Sequence, residues 1–217
     1  MYIVIVGAGG IGKRLTELAL KDDNHNVIVI DKNQARCEEI ARKYDAVAIN
    51  ADATQEETLE ESEVKKADAL VTTTRDDATN LMVISLAKNK GVKNLVSVVN
   101  QEESKPMYIE KGVKMVKSPN IIMAENLYKS IKHPNVEEYM NVGKYAEIFR
   151  LPIALNSRLS KKTINKIGLP KKSLIVAIER GHKFIIPTED AELFSGDRVT
   201  VLAHKDQVDK VVALFSE

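Results

Sequence analysis

Tyr2-Ile-Val-Ile-Val6-Gly7-Ala8-Gly9-Gly10-Ile11-Gly12 carries the strongest fold signal in the chain. A run of β-branched residues ends in G-x-G-x-x-G, and a helically periodic segment over Ile11–Leu20 follows at once. Strand, glycine loop and helix in that order form the context in which the motif cradles phosphate. Gly7 allows the sharp turn, Gly9 lets a diphosphate approach the backbone, and Gly12 allows the helix to pack closely on the sheet. Unpaired N–H groups and partial positive charge at the helix N-terminus then favour an anion over Gly7, Ala8, Gly9, Gly10 and Ile11. On the helix itself, Ile11, Leu15, Leu18 and Ala19 read as the apolar face.

Working outward, Val27–Asp31 is a second strand that ends in a carboxylate, at about the 20-residue spacing such sites use. Asp31 there is placed to accept both hydroxyls of a ribose and to repel a 2′-phosphate. NAD, NADH or an adenine nucleotide (ATP or ADP) is therefore expected in preference to NADP, with Lys32 weakening the exclusion slightly. Asn33 caps a helix over Gln34–Lys43. Further strands are expected at Ala46–Ile49, Ala69–Thr73, Leu95–Val99 and Lys114–Val116. Helices are expected from Thr54 (with Glu57 at the capping-box position), over Ala78–Asn89, in a weaker Pro106 segment, and over Asn120–Ile131. Helical crossovers between strands require a parallel sheet, so the first part is α/β: a doubly wound Rossmann-like sheet in the order 3-2-1-4-5-6.

Two other strand ends face the same crevice. Asp52, in Asn50-Ala-Asp-Ala-Thr54, either borders an adenine or caps a helix. Thr73, Thr74 and Arg75 follow the fourth strand at the switch point, where Thr74 and Arg75 meet ribose or phosphate and Asp76 or Asp77 caps the next helix. Asn80 is either a polar floor to the site or a solvated helix residue. Lys13 and Arg14 face solvent or reach a terminal phosphate.

Beyond His133-Pro134-Asn135 the rhythm changes, giving domains 1–135 and 136–217. Strands at Tyr145–Leu151, Ser173–Glu179, Lys183–Ile186 and Val199–Ala203, with helices at Ser160–Ile167 and Asp206–Phe215, make a small α+β domain. Gly181 is expected in the tight turn between two of these strands.

Composition narrows the function classes. Over 217 residues, 32 Lys+Arg and 31 Asp+Glu leave a net charge of +1, without the basic excess of a nucleic-acid binder. The single Cys37 reads as a packing residue, the four histidines lie far apart, and Glu189-Asp-Ala-Glu192 reads as a solvated turn rather than a calcium loop. The apolar runs are strand-sized and the chain opens directly on a strand, so a cytoplasmic protein is expected. No His or Lys with a partner stands at a strand end, which argues against hydride transfer and against an enzyme. A small NAD-dependent oxidoreductase is the alternative. A redox-sensing repressor would need a basic recognition helix, and none is evident.

IVIVGAGGIGKRL, VIVIDKN, ADAT and ADALVTTTRDDATNL resemble the N-terminal domain of the TrkA/KtrA group, the regulators-of-potassium-conductance (RCK) subunits of prokaryotic K⁺ transporters and channels. The second domain is similar to their C-terminal module through Arg158–Pro170, Leu174–Arg180, Ile186-Pro187 and Gly196–Leu202. The resemblance implies a non-catalytic, nucleotide-sensing subunit that forms dimers and rings at the inner face of the membrane through a K⁺ transporter or channel partner. It places nucleotide contacts at Gly7 to Ile11, Asp31, Asp52, Thr73 to Arg75 and near Val98, where relatives often carry a basic residue. It also implies a second effector, sometimes a cyclic dinucleotide, on the C-terminal module. The helix over Asn120–Ile131, with Ile121, Ile122, Leu127 and Ile131, is the candidate for part of the self-association surface; the alternative is that it only covers the monomer's own sheet.

Overall fold

The computed structural model describes residues 1–22, 24–116 and 118–216, which form two compact units, Met1–Ile122 and Met123–Glu217. The first unit alternates β1 (Tyr2–Val6), α1 (Gly10–Ala19), β2 (Asn26–Asp31), α2 (Gln34–Lys43), β3 (Val47–Asn50), α3 (Glu56–Glu61), β4 (Ala69–Thr72), α4 (Asp77–Asn89), β5 (Leu95–Val98), α5 (Lys105–Glu110) and β6 (Lys114–Val116). Its six strands are parallel and lie in the order β3-β2-β1-β4-β5-β6, the order expected. Val6 is level with Ile30 on one side and Thr72 on the other, so the loops after β1, β2 and β4 emerge together.

Both faces of this sheet are buried, as helical crossovers demand. Val4, Val6, Ile28, Ile30 and Leu70 pack with Leu59, Val83 and Ile84 on one side. On the other, Ile5, Val27 and Val29 pack with Ile40 and the half-buried Leu15. The sheet-facing row of α1 runs through Gly12, Leu15, Thr16 and Ala19. Ile11 and Leu18, expected on that row, are instead exposed, because the buried stripe follows i, i+3, i+4, i+7 from Gly12.

Two caps match the sequence reading: Asn33 Oδ1 accepts the Arg36 amide at 3.1 Å, and Asp76 Oδ2 accepts the Thr79 amide at 2.8 Å. Thr54 does not cap α3. Its amide and hydroxyl both donate to Asp52 Oδ1, at 2.9 and 2.7 Å, so a turn occupies Asp52–Gln55 and the helix begins later. The expected capping box with Glu57 does not form for the same reason.

α6 (Pro119–Lys132) crosses the division between the units, whereas the sequence reading closed the first domain after this helix. Its second half is tied to second-unit residues through Lys129–Glu147 (3.0 Å) and Lys132–Asp209 (2.7 Å). The second unit adds β7 (Glu138–Val142), β8 (Ala146–Pro152), β9 (Ser173–Arg180), β10 (Lys183–Ile185), β11 (Arg198–His204) and α7 (Val208–Ser216). The sheet is antiparallel, in the order β10-β9-β11-β8-β7. Phe149, Leu151, Ile178, Val199 and Val201 form its core with Val211 and Phe215 of α7. Gly181 turns β9 into β10 at φ +59, as expected.

β7 was not expected from the sequence. It is an edge strand whose residues are exposed apart from a half-buried Tyr139, so it carries no apolar alternation. The helix expected over 160–167 is also absent. Lys161 donates to Leu193 O at 2.7 Å and Leu193 donates to Lys162 O at 2.9 Å, which diverts the backbone groups a helix would have paired. Only a single 3₁₀ turn, Ile164–Lys166, remains.

Candidate functional site

The glycines of the loop differ in what surrounds them. Gly7 adopts φ +103, and a Cβ there would stand 2.9 Å from Thr73 Oγ1. At Gly12 a Cβ would fall 1.8 Å from the Gly7 carbonyl oxygen, so this residue packs behind the loop and lines neither cavity described below. Nothing lies within 4 Å of a Cβ on Gly9 or Gly10. Gly9 is extended (φ −71, ψ −170), a backbone any residue adopts. The space above these two glycines is therefore open.

Two cavities flank the loop. The smaller, about 250 Å³, is bounded by Asp31, Lys32, Ala51, Asp52 and Thr79. The larger, about 830 Å³, is bounded by Gly9, Gly10, Ile11, Lys13, Val98 and Asn100. Gly7, Asp31, Arg36, Thr74 and Arg75 line both.

Asp31 stands at the end of β2 with its side chain 10% exposed. One carboxylate oxygen accepts the Ala8 amide at 2.6 Å and the other accepts the Asn33 amide at 2.8 Å. The carboxylate thus pins the glycine loop to β2. Each oxygen keeps a lone pair for a hydroxyl in the cavity. Arg36 Nη1, on α2, lies 3.6 Å away.

Asp52 both lines the smaller cavity and caps its own turn. Burial opposes its charge, but hydrogen bonds from the Thr54 hydroxyl and amide and from Lys32 outweigh that and hold the carboxyl at about 2. Lys32 Nζ is 2.9 Å from Asp52 Oδ2.

At the switch point, Thr73 Oγ1 donates to the Gly7 carbonyl at 2.9 Å, bracing the loop from behind. Thr74 Oγ1 donates to Asn80 Oδ1 at 2.7 Å, and Asn80 Nδ2 donates to the carbonyls of Thr74 and Val98. Asn80 is fully buried, so it is not a solvated helix residue; it lines neither cavity and holds Thr74, which lines both. Arg75 is exposed and makes no ion pair among the described residues. Lys13 lines the larger cavity while paired with Glu39, and Arg14 pairs with Glu17 on the exposed side of α1.

Cys37 is buried, with Sγ 3.3 Å from the Asp31 carbonyl, and burial pushes its thiol pKa up: a packing residue. Asp190 accepts from Asn165 Nδ2 at 3.0 Å. Among the described residues no group of three His, Cys, Asp or Glu is placed to hold a metal ion.

The sequence reading missed Arg36, Asp77, Asn100 and Gln101. Asn100-Gln101 directly follows β5, so the rule that ligands bind beyond the carboxyl ends of strands was the signal available. Nothing in the pattern of α2 marks Arg36. Asp77, expected at most as a cap, is buried and accepts the Asn100 and Gln101 amides, each at 2.9 Å.

A 3-2-1-4-5-6 parallel sheet, a glycine loop on a helix N-terminus and an acidic β2 end define a Rossmann-type nucleotide-binding domain, here joined to a small antiparallel module. The chain belongs to the TrkA family: residues 3–119 match the TrkA-N domain and residues 148–216 the TrkA-C domain. It is 30% identical over 217 residues to a Trk system potassium uptake protein TrkA homolog of Methanothermobacter thermautotrophicus, covering 100% of each chain. It is 28% identical over 215 residues to TrkA homolog 1 of Methanosarcina mazei, covering 98% of this chain and 48% of that one. The chain thus spans about half the length of the second relative and all of the first. Among solved structures, the GsuK channel bound to NAD superposes with a TM-score of 0.65 at 16% identity, over 100% of this chain and 39% of the other. At that identity the likeness is one of fold.

Proposed function

We propose that this chain is a nucleotide-sensing regulatory subunit of a potassium uptake system, with NAD or NADH, or alternatively ADP or ATP, in the cavities around the glycine loop. The observation that carries the reading is the open volume above Gly9 and Gly10, facing an Arg75 that has no ion-pair partner among the described residues. A diphosphate there would meet the α1 amides and one free guanidinium. The name shared by the relatives supplies the potassium context.

Regulation rather than catalysis is supported by how the charged lining is engaged. Asp31 holds backbone amides, Asp52 holds Lys32, Asp76 caps α4 through Thr79, and Lys13 holds Glu39, so among the described residues each lining carboxylate is already engaged in the structure of the protein itself. Such a subunit works by differential binding: one nucleotide favours one assembly geometry, and that difference biases a membrane K⁺ transporter or channel at the inner face of the membrane. Self-association into dimers or a ring supplies the geometry. No helix among the described residues is long and apolar enough to cross a membrane.

Thermal unfolding with NAD, NADH, NADP, ADP and ATP tests the reading. A ligand at about 100 times its Kd stabilises the folded chain by about 2.7 kcal/mol. No shift with any of the five would overturn nucleotide sensing. Substrate-dependent change in nicotinamide absorbance would favour the oxidoreductase instead.

A further inference from the structure

Asn100 is held in one orientation by groups that can only accept. Its Nδ2 donates to Asp77 Oδ1 at 2.9 Å and to the Thr74 carbonyl at 3.1 Å. Turning the amide over would set its oxygen against a carboxylate and a carbonyl at once, so the assignment follows from chemistry. The Asp77 carboxylate is itself buried and fixed by the Asn100 and Gln101 amides. With both Nδ2 hydrogens engaged, Oδ1 is left as a fixed acceptor on a residue that lines the larger cavity. Among the described residues no donor reaches it. The neighbouring wall residue, Val98, is apolar.

A fixed acceptor beside an apolar side chain welcomes a hydroxyl or an amide N–H and opposes a phosphate, which brings only further acceptors. The smaller cavity suits one nucleoside and the shared residues suit a diphosphate. The larger cavity then continues past the diphosphate to Asn100. We propose that Asn100, positioned by Asp77 and Thr74, reads the second nucleoside of a dinucleotide, so that the site selects NAD-type dinucleotides over nucleoside triphosphates. This rests on the nucleotide reading above and deepens it.

Calorimetric titration of the full chain with NAD, ADP and ATP, for wild type and Asn100→Leu, tests it. Leucine keeps the bulk and removes the acceptor, together with the two Nδ2 hydrogen bonds to Asp77 and Thr74, whose loss the ADP titration reads separately. NAD affinity should fall roughly tenfold in the variant, while ADP, which stops at the diphosphate, should bind as before. Equal losses for NAD and ADP would mean that Asn100 only holds Thr74 in place, and would overturn the proposal. Unchanged NAD affinity would do the same. Should Asn100→Leu fail to fold, wild type still decides: NAD should bind at least about tenfold tighter than ATP, and ATP binding as tightly as NAD would refute the selection. If wild type binds ADP but shows no preference for NAD, this inference alone falls. If it binds none of the three, the nucleotide reading falls as well.

Discussion

Gly9 and Gly12 belong to one motif, yet substitutions at the two are expected to fail in opposite ways. A Cβ at Gly12 would overlap the Gly7 carbonyl, and both atoms belong to backbone that the sheet and α1 hold fixed. Gly12→Ala should lower the unfolding free energy by about 1–3 kcal/mol, read from urea denaturation. Gly9→Val meets open space and ordinary backbone angles, so it should unfold at the wild-type denaturant midpoint while binding no nucleotide. A folded Gly9→Val chain with undiminished affinity would remove the phosphate from this loop. Asp31→Ala should raise NADP affinity relative to NAD, because the carboxylate that repels a 2′-phosphate is gone. It should also weaken both nucleotides somewhat, since the Ala8 amide loses its partner. Residue spacing located the motif and Asp31. It listed the glycines alike, however, because only backbone angles and close approaches separate a glycine the fold requires from one the ligand requires.

At the scale of elements, local chemistry was legible where side chains act on their own backbone. Asn33 and Asp76 cap as their types predict, and Asp76→Ala should cost about 1 kcal/mol by thermal unfolding. The turn before α3 was not legible, since Asp52 takes both the amide and the hydroxyl of Thr54, the group expected to cap the helix, and adds Lys32 from the neighbouring loop. That turn carries a pH signature. The folded Asp52 carboxyl sits at about 2, below the roughly 3.9 of an unfolded chain. Its contribution is therefore fully present above about pH 4 and is lost as pH falls through about 2. Asp52→Asn should flatten the stability profile across that window, with a modest effect because the side chain is a third exposed. β7 and the 160–167 segment escaped the sequence for related reasons. An edge strand needs no apolar alternation, and long-range pairing of Lys161 and Lys162 with Leu193 overrides helical periodicity.

For the whole molecule, the parallel sheet was readable because its inner strands β2, β1, β4 and β5 are buried on both faces and so read as largely continuous apolar runs. The second unit was readable only in outline, and its membership in the TrkA family rests on the match over residues 148–216. α6 is where the self-association expected of a regulatory subunit becomes testable. None of its described residues is buried, and Ile122, Met123, Leu127, Tyr128 and Ile131 are exposed, with Ile131 at 77%. An apolar helix face of that kind is an interaction surface more often than a solvated one. The chain should therefore scatter light as a dimer or larger at micromolar concentration. Leu127→Lys together with Ile131→Lys should lower the mass toward the monomer without shifting the unfolding midpoint, because neither side chain contributes to the core of its own unit. A wild-type monomer, with and without nucleotide, would contradict a ring-forming subunit. An unchanged oligomer in the double variant would move the interface away from α6. If dissociation also abolished rescue of K⁺ uptake in a strain lacking the gene, assembly through this helix would be tied to transport.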